Sequence, residues 1–134
     1  MTTTRNNMIN VGSWISKWAL IQSSKVAVIS NGNPFTYPQL NSRVNKLSNL
    51  LLDRGIKKGD RVGVLLRNCL EYLEIFFALS KIGGILVPLN WRLAIPELEF
   101  IMRDSGTDFI IFEDSFLETA EKLTKKIRIS NCLS

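Results

Sequence analysis

The 134-residue chain predicts an α/β fold, a mostly parallel sheet with helices on its faces and a hairpin near the amino terminus. Three observations carry this expectation. Short strand-like runs at 60–66, 85–88 and 108–113 are separated by segments with helical periodicity. Such an alternation requires right-handed crossovers and therefore parallel pairing. The run Asp60 to Leu66 (DRVGVLL) is almost continuously apolar, the character of a strand covered on both faces. Finally, Leu79 to Leu93 (LSKIGGILVPLNWRL) takes a helix through paired glycines straight into a strand closed by proline.

Each element has its own local reason. Val11, Trp14, Ile15 and Trp18 recur at helical spacing, so residues 10–22 read as a short amphipathic helix whose tryptophans cap a core. Lys17 beside them also allows contact with a membrane surface. Lys25 to Ser30 (KVAVIS), then Asn31-Gly32-Asn33, then Phe35-Thr36-Tyr37 read as a hairpin. Thr36 to Gln39 is a capping-box pattern, opening a helix with Leu40, Val44, Leu47 and Leu51 inward and Gly55 as its stop. A second such pattern at Asn68 to Glu71 predicts a helix over 69–82, with Leu70, Leu73, Phe77 and Ile82 inward and Gly83-Gly84 ending it. After the strand Ile85–Pro88, a helix is expected over 96–104 with Leu98, Ile101 and Met102 inside, then the strand 108–113. A last helix runs from Ser115 toward Lys126, opened by Ser-Phe-Leu-Glu. Residues 1–9 are expected to form a disordered tail and 127–134 a truncated one, because Ile127 and Ile129 alternate like the start of a further strand.

Composition narrows the chemistry. Hydrophobic residues at 46% and charged residues at 22% are ordinary for a globular protein. No apolar run approaches the roughly 20 residues that span a bilayer, and MTTTRNNMIN lacks a signal-peptide core, so a cytoplasmic location is expected. With no histidine, the commonest general base and the Ser-His and Cys-His nucleophile pairs are excluded. Cys69 and Cys132 match no metal or redox spacing. Net charge is +8 over residues 1–67 and −3 over 68–134, but the basic residues are dispersed and not interleaved with aromatics. That argues for solvated charge or an acidic partner surface, not for nucleic acid.

Neither GxxxxGK[ST] nor GxGxxG is present, so both usual phosphate cradles are lacking. Adjacent acids such as Glu97 with Glu99, or Glu113 with Asp114, read as solvated carboxylates and no catalytic dyad is assigned. Arg92 stands apart by position, just past the carboxyl end of a parallel strand, where open α/β sheets keep ligands. A guanidinium there can meet a phosphate bidentately. A salt bridge to Glu97 is the competing role.

From about Val11 to Lys122 the sequence resembles the amino-terminal portion of AMP-forming acyl-CoA synthetases, the acyl-adenylate-forming superfamily. Phe35 to Leu40 (FTYPQL) is similar to the first core motif, L-T-Y-x-E-L, with Gln39 replacing glutamate; Leu79 to Asn90 (LSKIGGILVPLN) is similar to the second, L-K-A-G-x-A-Y-V-P-I-D. The stretches between and after them, GIKKGDRVGVLLRNCLEYLEIFFAL and NWRLAIPELEFIMRDSGTDFIIFED, are similar to the fatty-acyl branch. The resemblance implies a partial amino-terminal subdomain over 10–126. It implies a reaction that joins a carboxylate to ATP, releases pyrophosphate and passes the acyl group to the thiol of coenzyme A, assisted by magnesium. It also implies that Arg92, the arginine of LNxRL, contacts a coenzyme A phosphate. The family's phosphate loop, its adenine and ribose motifs and its carboxyl-terminal lysine are absent from these residues. Ile95 stands where many relatives carry a polar cap before Pro-Glu, which predicts a loosely started helix.

The expectation is therefore an amino-terminal fragment of a fatty-acid or related carboxylate CoA ligase, inert alone and without cofactor or metal of its own. Its partner would be the remainder of the ligase or a complete paralogue. The alternative is a truncated, non-catalytic interaction module that associates with a complete ligase. A flavodoxin-like receiver expects an acidic cluster after its first strand, and Ser30-Asn31-Gly32 offers none.

Overall fold

A computed structural model describes residues 10–126 and 131–133. The expected amino-terminal tail and the alternation at Ile127 and Ile129 lie outside the described residues. Helix α1 (Val11–Ile21) begins where the Asn10 side chain accepts the Ser13 amide at 2.9 Å. Strands β1 (Val26–Ser30) and β2 (Asn33–Thr36) pair antiparallel. Their turn places Asn31 at φ 51° and Gly32 at φ 79°, the two successive left-handed residues that match the twist of a tight hairpin. The hairpin forms a two-stranded sheet of its own, separate from the main sheet.

Helix α2 (Tyr37–Asp53) opens on the expected capping box: the Gln39 amide donates to Thr36 Oγ1 at 3.3 Å, and the Thr36 amide donates to Gln39 Oε1 at 2.8 Å. Strand β3 (Arg61–Leu65) is followed by α3 (Leu70–Ile82), and Gly83, at φ 79°, takes the left-handed conformation that stops it. Strand β4 (Ile85–Pro88), helix α4 (Ile95–Ser105) and strand β5 (Phe109–Phe112) come next. A short 3-10 turn at Asp114–Phe116 leads into α5 (Leu117–Lys126), and strand β6 (Asn131–Leu133) closes the order.

The main sheet has strand order β4-β3-β5-β6, and every pair is parallel. The pleat sends alternate residues to opposite faces. Val62, Val64, Phe109 and Ile111 pack with α1, α2 and α3, while Leu65, Ile110 and Phe112 pack with α4 and α5. The result is a three-layer sandwich with β3 covered on both sides, as its apolar run predicts.

Three local expectations fail. The α3 stripe is rotated: Leu70, Glu74, Ile75, Ala78 and Leu79 are buried, while Leu73, Phe77 and Ile82 are only partly so. That helix starts at Leu70 with no side-chain cap, so the Asn68–Glu71 box does not form. Ser115 turns back to Glu113, and Glu118 pairs with Lys122 one helical turn on, so the box expected at Ser115–Glu118 is also absent. For α4 the cap position is Ala94 and Ile95 is already helical, again without a side-chain cap.

Candidate functional site

Strands β3 and β5 are neighbours, yet the helix after β3 covers one face of the sheet and the helix after β5 covers the other. Between their carboxyl ends the connections diverge, and that divergence opens the crevice in which doubly wound sheets hold ligands. Arg67 leaves β3 here. Its guanidinium donates to Glu113 Oε1 at 3.0 Å, tying the ends of β3 and β5 across the divergence, and approaches Ser115 Oγ at 3.4 Å. It also lies 4.9 Å from the Phe116 ring centroid and 5.3 Å from that of Trp91.

Trp91 comes from the loop after β4 and stacks on Phe116, with ring centroids 5.8 Å apart and planes tilted by 23°. Three strand ends thus meet in one aromatic and guanidinium cluster. Arg92 adds the second cation. Asn90 Oδ1 accepts the Arg92 amide at 3.0 Å, and the Leu93 amide donates to the Asn90 carbonyl at 3.0 Å. This is an Asx turn, which an asparagine favours because its side chain mimics a backbone acceptor. It leaves the Arg92 side chain exposed, with its guanidinium 5.0 Å from the Trp91 centroid. Among the described residues Arg92 makes no ion pair, so the competing bridge to Glu97 is not formed.

Sequence reasoning selected Arg92 and missed Arg67, Trp91 and Phe116. The signal for Arg67 was present, since it too follows a strand's carboxyl end. Its partners arrive from other strands and could be named only with the strand order in hand.

Beside the divergence lies a cleft of about 730 Å³, bounded by α2, α3 and the ends of β3 and β5. Its floor is apolar, from Leu47, Leu51, Leu66, Ile75 and Ile111, while Arg43, Arg54, Glu71 and Glu113 stand among its lining residues. On its wall Arg43 donates twice to Glu74, Nε to Oε2 at 2.7 Å and Nη2 to Oε1 at 3.0 Å. The carboxylate, placed where periodicity predicted none inward, holds the Arg43 guanidinium above its usual pKa through that hydrogen bonding.

Two other reactive groups are accounted for structurally. Desolvation raises the Cys69 thiol, which keeps it from acting as a ready thiolate nucleophile. Burial lowers the Lys81 ammonium, a feature that can mark a general base. It sits, however, in the last turn of α3, just before β4 begins, at the end of the sheet opposite the cluster. There it donates to Ser16 Oγ (2.9 Å), Asn41 Oδ1 (2.5 Å) and Asn45 Oδ1 (2.6 Å), pinning α1 and α2 to α3.

The donor set fits a phosphate group better than a metal or a triphosphate. The Arg92 guanidinium is exposed on a fixed turn. No group of three His, Cys, Asp or Glu that could hold a metal occurs among the described residues, and the chain has no glycine-rich phosphate loop.

The chain is similar to known proteins over most of its length. A family model described as AMP-binding enzyme matches residues 15–133. The fatty acid–(acyl-carrier-protein) ligase ScoC of Streptomyces coeruleorubidus is 41% identical over 97 residues, 72% of this chain and 19% of the relative. The long-chain-fatty-acid–CoA ligase FadD13 of Mycobacterium tuberculosis is 36% identical over 107 residues, 78% of this chain and 21% of the relative. Among solved structures, the N-terminal domain of FACL13 from Mycobacterium tuberculosis superposes with a TM-score of 0.85 at 28% identity, covering 94% of this chain and 34% of that one. The chain spans about a fifth of the length of these sequence relatives. It belongs to the AMP-binding enzyme family, and its fold is that of the amino-terminal subdomain of adenylate-forming enzymes.

Proposed function

We propose that these residues form part of an ATP-dependent, AMP-forming carboxylate CoA ligase, with fatty acids as the substrate class, and supply one wall of its acyl and coenzyme A sites. The single observation that carries the proposal is Arg92: a guanidinium without an ion pair among the described residues, on a fixed turn, resting on Trp91, at the carboxyl end of a family-matched sheet. In this reading Arg92 meets a phosphate of coenzyme A. That the relatives ScoC and FadD13 are fatty-acid ligases supports the fatty-acid class.

ATP, magnesium and coenzyme A serve the complete enzyme, where ATP supplies the activating adenylate. The residues described here bind and orient. Arg92 draws a phosphate to the sheet edge, Arg67 and Phe116 fix the ring beneath it, and the apolar cleft floor shelters hydrocarbon from water. The 134 residues alone neither adenylate nor form a thioester. Their partner is the remainder of the ligase or a complete paralogue, nucleic acid has no part, and the compartment is the cytoplasm.

A second reading, a non-catalytic module that associates with a complete ligase, draws on the outer apolar surface: Phe100 is 68% exposed on α4, and Leu117 is 49% exposed at the start of α5. One pair of assays tests both the inertness and the site. The purified chain is expected to show no acid-dependent exchange of pyrophosphate into ATP, and exchange above background overturns the claim that it is inert alone. Calorimetric titration with coenzyme A is expected to show weak binding that Arg92→Ala abolishes. Binding that Arg92→Ala leaves unchanged contradicts the assignment.

A further inference from the structure

We propose that the outer face of α1 docks on an anionic lipid surface. Sequence periodicity placed Trp14 and Trp18 over a core, but the structure turns them outward, 53% and 43% exposed. Gly12 and Ile15 occupy the buried face instead. With Ile21 (56% exposed) the two rings follow i, i+4 and i+7 spacing and so share one face, beside which Leu20 is 86% exposed. Lys17, three residues after Trp14, is exposed on that face. The patch continues past the helix. The Trp18 ring lies 6.1 Å from Tyr37, whose amide donates to the Lys25 carbonyl at 3.1 Å, so Lys25 borders it, and Val26 and Ile29 of the hairpin are exposed as well.

Charge selects the occupant. Residues 1–52 contain Arg5, Lys17, Lys25, Arg43 and Lys46 and not one Asp or Glu. A protein-binding surface ordinarily mixes signs at its rim, whereas exposed tryptophans flanked by Lys17 and Lys25 complement the headgroup layer of an anionic membrane. At 11 residues α1 is too short to span a bilayer, and no helix among the described residues is long and apolar enough to do so. The helix therefore lies in the plane of the interface, its rings among the upper acyl carbons and its lysines toward phosphate. This proposal stands independently of the ligase reading.

The test is sedimentation of the full 134-residue chain with phosphatidylserine–phosphatidylcholine vesicles against pure phosphatidylcholine vesicles. Two lysines near the surface are expected to strengthen partitioning to the anionic vesicles about tenfold or more. Lys17→Glu is expected to reverse most of that gain. Brominated acyl chains are expected to quench the wild-type tryptophan emission but not the residual Trp91 emission of a Trp14→Ser/Trp18→Ser variant. Both substitutions fall at exposed positions, and a wild-type circular dichroism spectrum confirms that the variant is folded. Equal partitioning onto neutral and anionic vesicles overturns the proposal. So does a folded double variant that still binds like the wild type. Indifference to vesicles, with concentration-dependent dimerisation that buries Trp14, assigns the face to a second copy of the chain and likewise overturns it.

Discussion

Removing Arg43 isolates a buried carboxylate, and the cost can be worked from the structure. The Glu74 side chain is 6% exposed and receives two charge-assisted hydrogen bonds from Arg43, which is itself 45% exposed and lies 5.3 Å over the Phe35 ring. Breaking a fully buried pair by deleting one partner costs about 3–5 kcal/mol, whereas exposed pairs are worth about 0–1 kcal/mol. With one end wet and the other dry, Arg43→Ala is expected to cost about 2–3 kcal/mol. In Arg43→Ala/Glu74→Leu the stranded charge is gone and a leucine joins Leu51 and Ile75 beside the cleft, so the double variant should return to within about 1 kcal/mol of the wild type. Urea unfolding followed by circular dichroism measures the cycle. With a slope of about 1–3 kcal/mol per molar urea, the single variant should lose about 0.7–3 M in midpoint. A loss under about 0.5 kcal/mol for Arg43→Ala, or a double variant worse than the single, refutes the reasoning.

Other substitutions probe different contacts. A Cβ at Gly12 would stand 2.5 Å from the Lys81 backbone nitrogen and 2.9 Å from its Cα, so Gly12→Ala must push α1 off α3. Net of improved helix propensity it should destabilise by about 1–2 kcal/mol in thermal unfolding, and a stabilised variant would contradict the close approach. Thr36→Ala removes one half of the capping box at α2 and should cost about 1 kcal/mol. No loss would mean that the cap contributes nothing. Lys81 gives a pH signature. Burial depresses its folded pKa below the ordinary 10.5, so the unfolded chain holds the proton more tightly, and stability should rise with pH through the window between the folded value and 10.5. Lys81→Met should flatten that rise, and an identical pH profile in both proteins would exclude it.

What was legible in the sequence was local. The hairpin turn at Asn31-Gly32, the Thr36–Gln39 cap and the Gly83 stop each depend on residues within a few positions of one another. The three strands from β3 to β5 were marked by runs of consecutive apolar residues. The rotation of α3 was not legible, because Leu70 to Ile82 is apolar nearly all round and the partner of its inward-facing Glu74, Arg43, lies 31 residues earlier. The expected cap at Ser115 failed for a similar reason: Glu113 holds Ser115 locally but also answers Arg67, 46 residues away. Arg92 could be picked from its place after a strand. The ring beneath it and the Arg67 clamp depend on β3 lying between β4 and β5, an order that periodicity does not encode.

The central claim is that this sheet edge serves a CoA ligase through Arg92. Its most direct measurement replaces the matching segment of FadD13 with residues 15–133 and follows both half-reactions. The account predicts that the chimera forms acyl-CoA, and that Arg92→Ala raises its KM for coenzyme A by about tenfold or more while pyrophosphate exchange is unchanged, the loss of one charge-assisted phosphate contact. A chimera in which Arg92→Ala leaves the coenzyme A dependence untouched, or impairs the adenylation half equally, contradicts it.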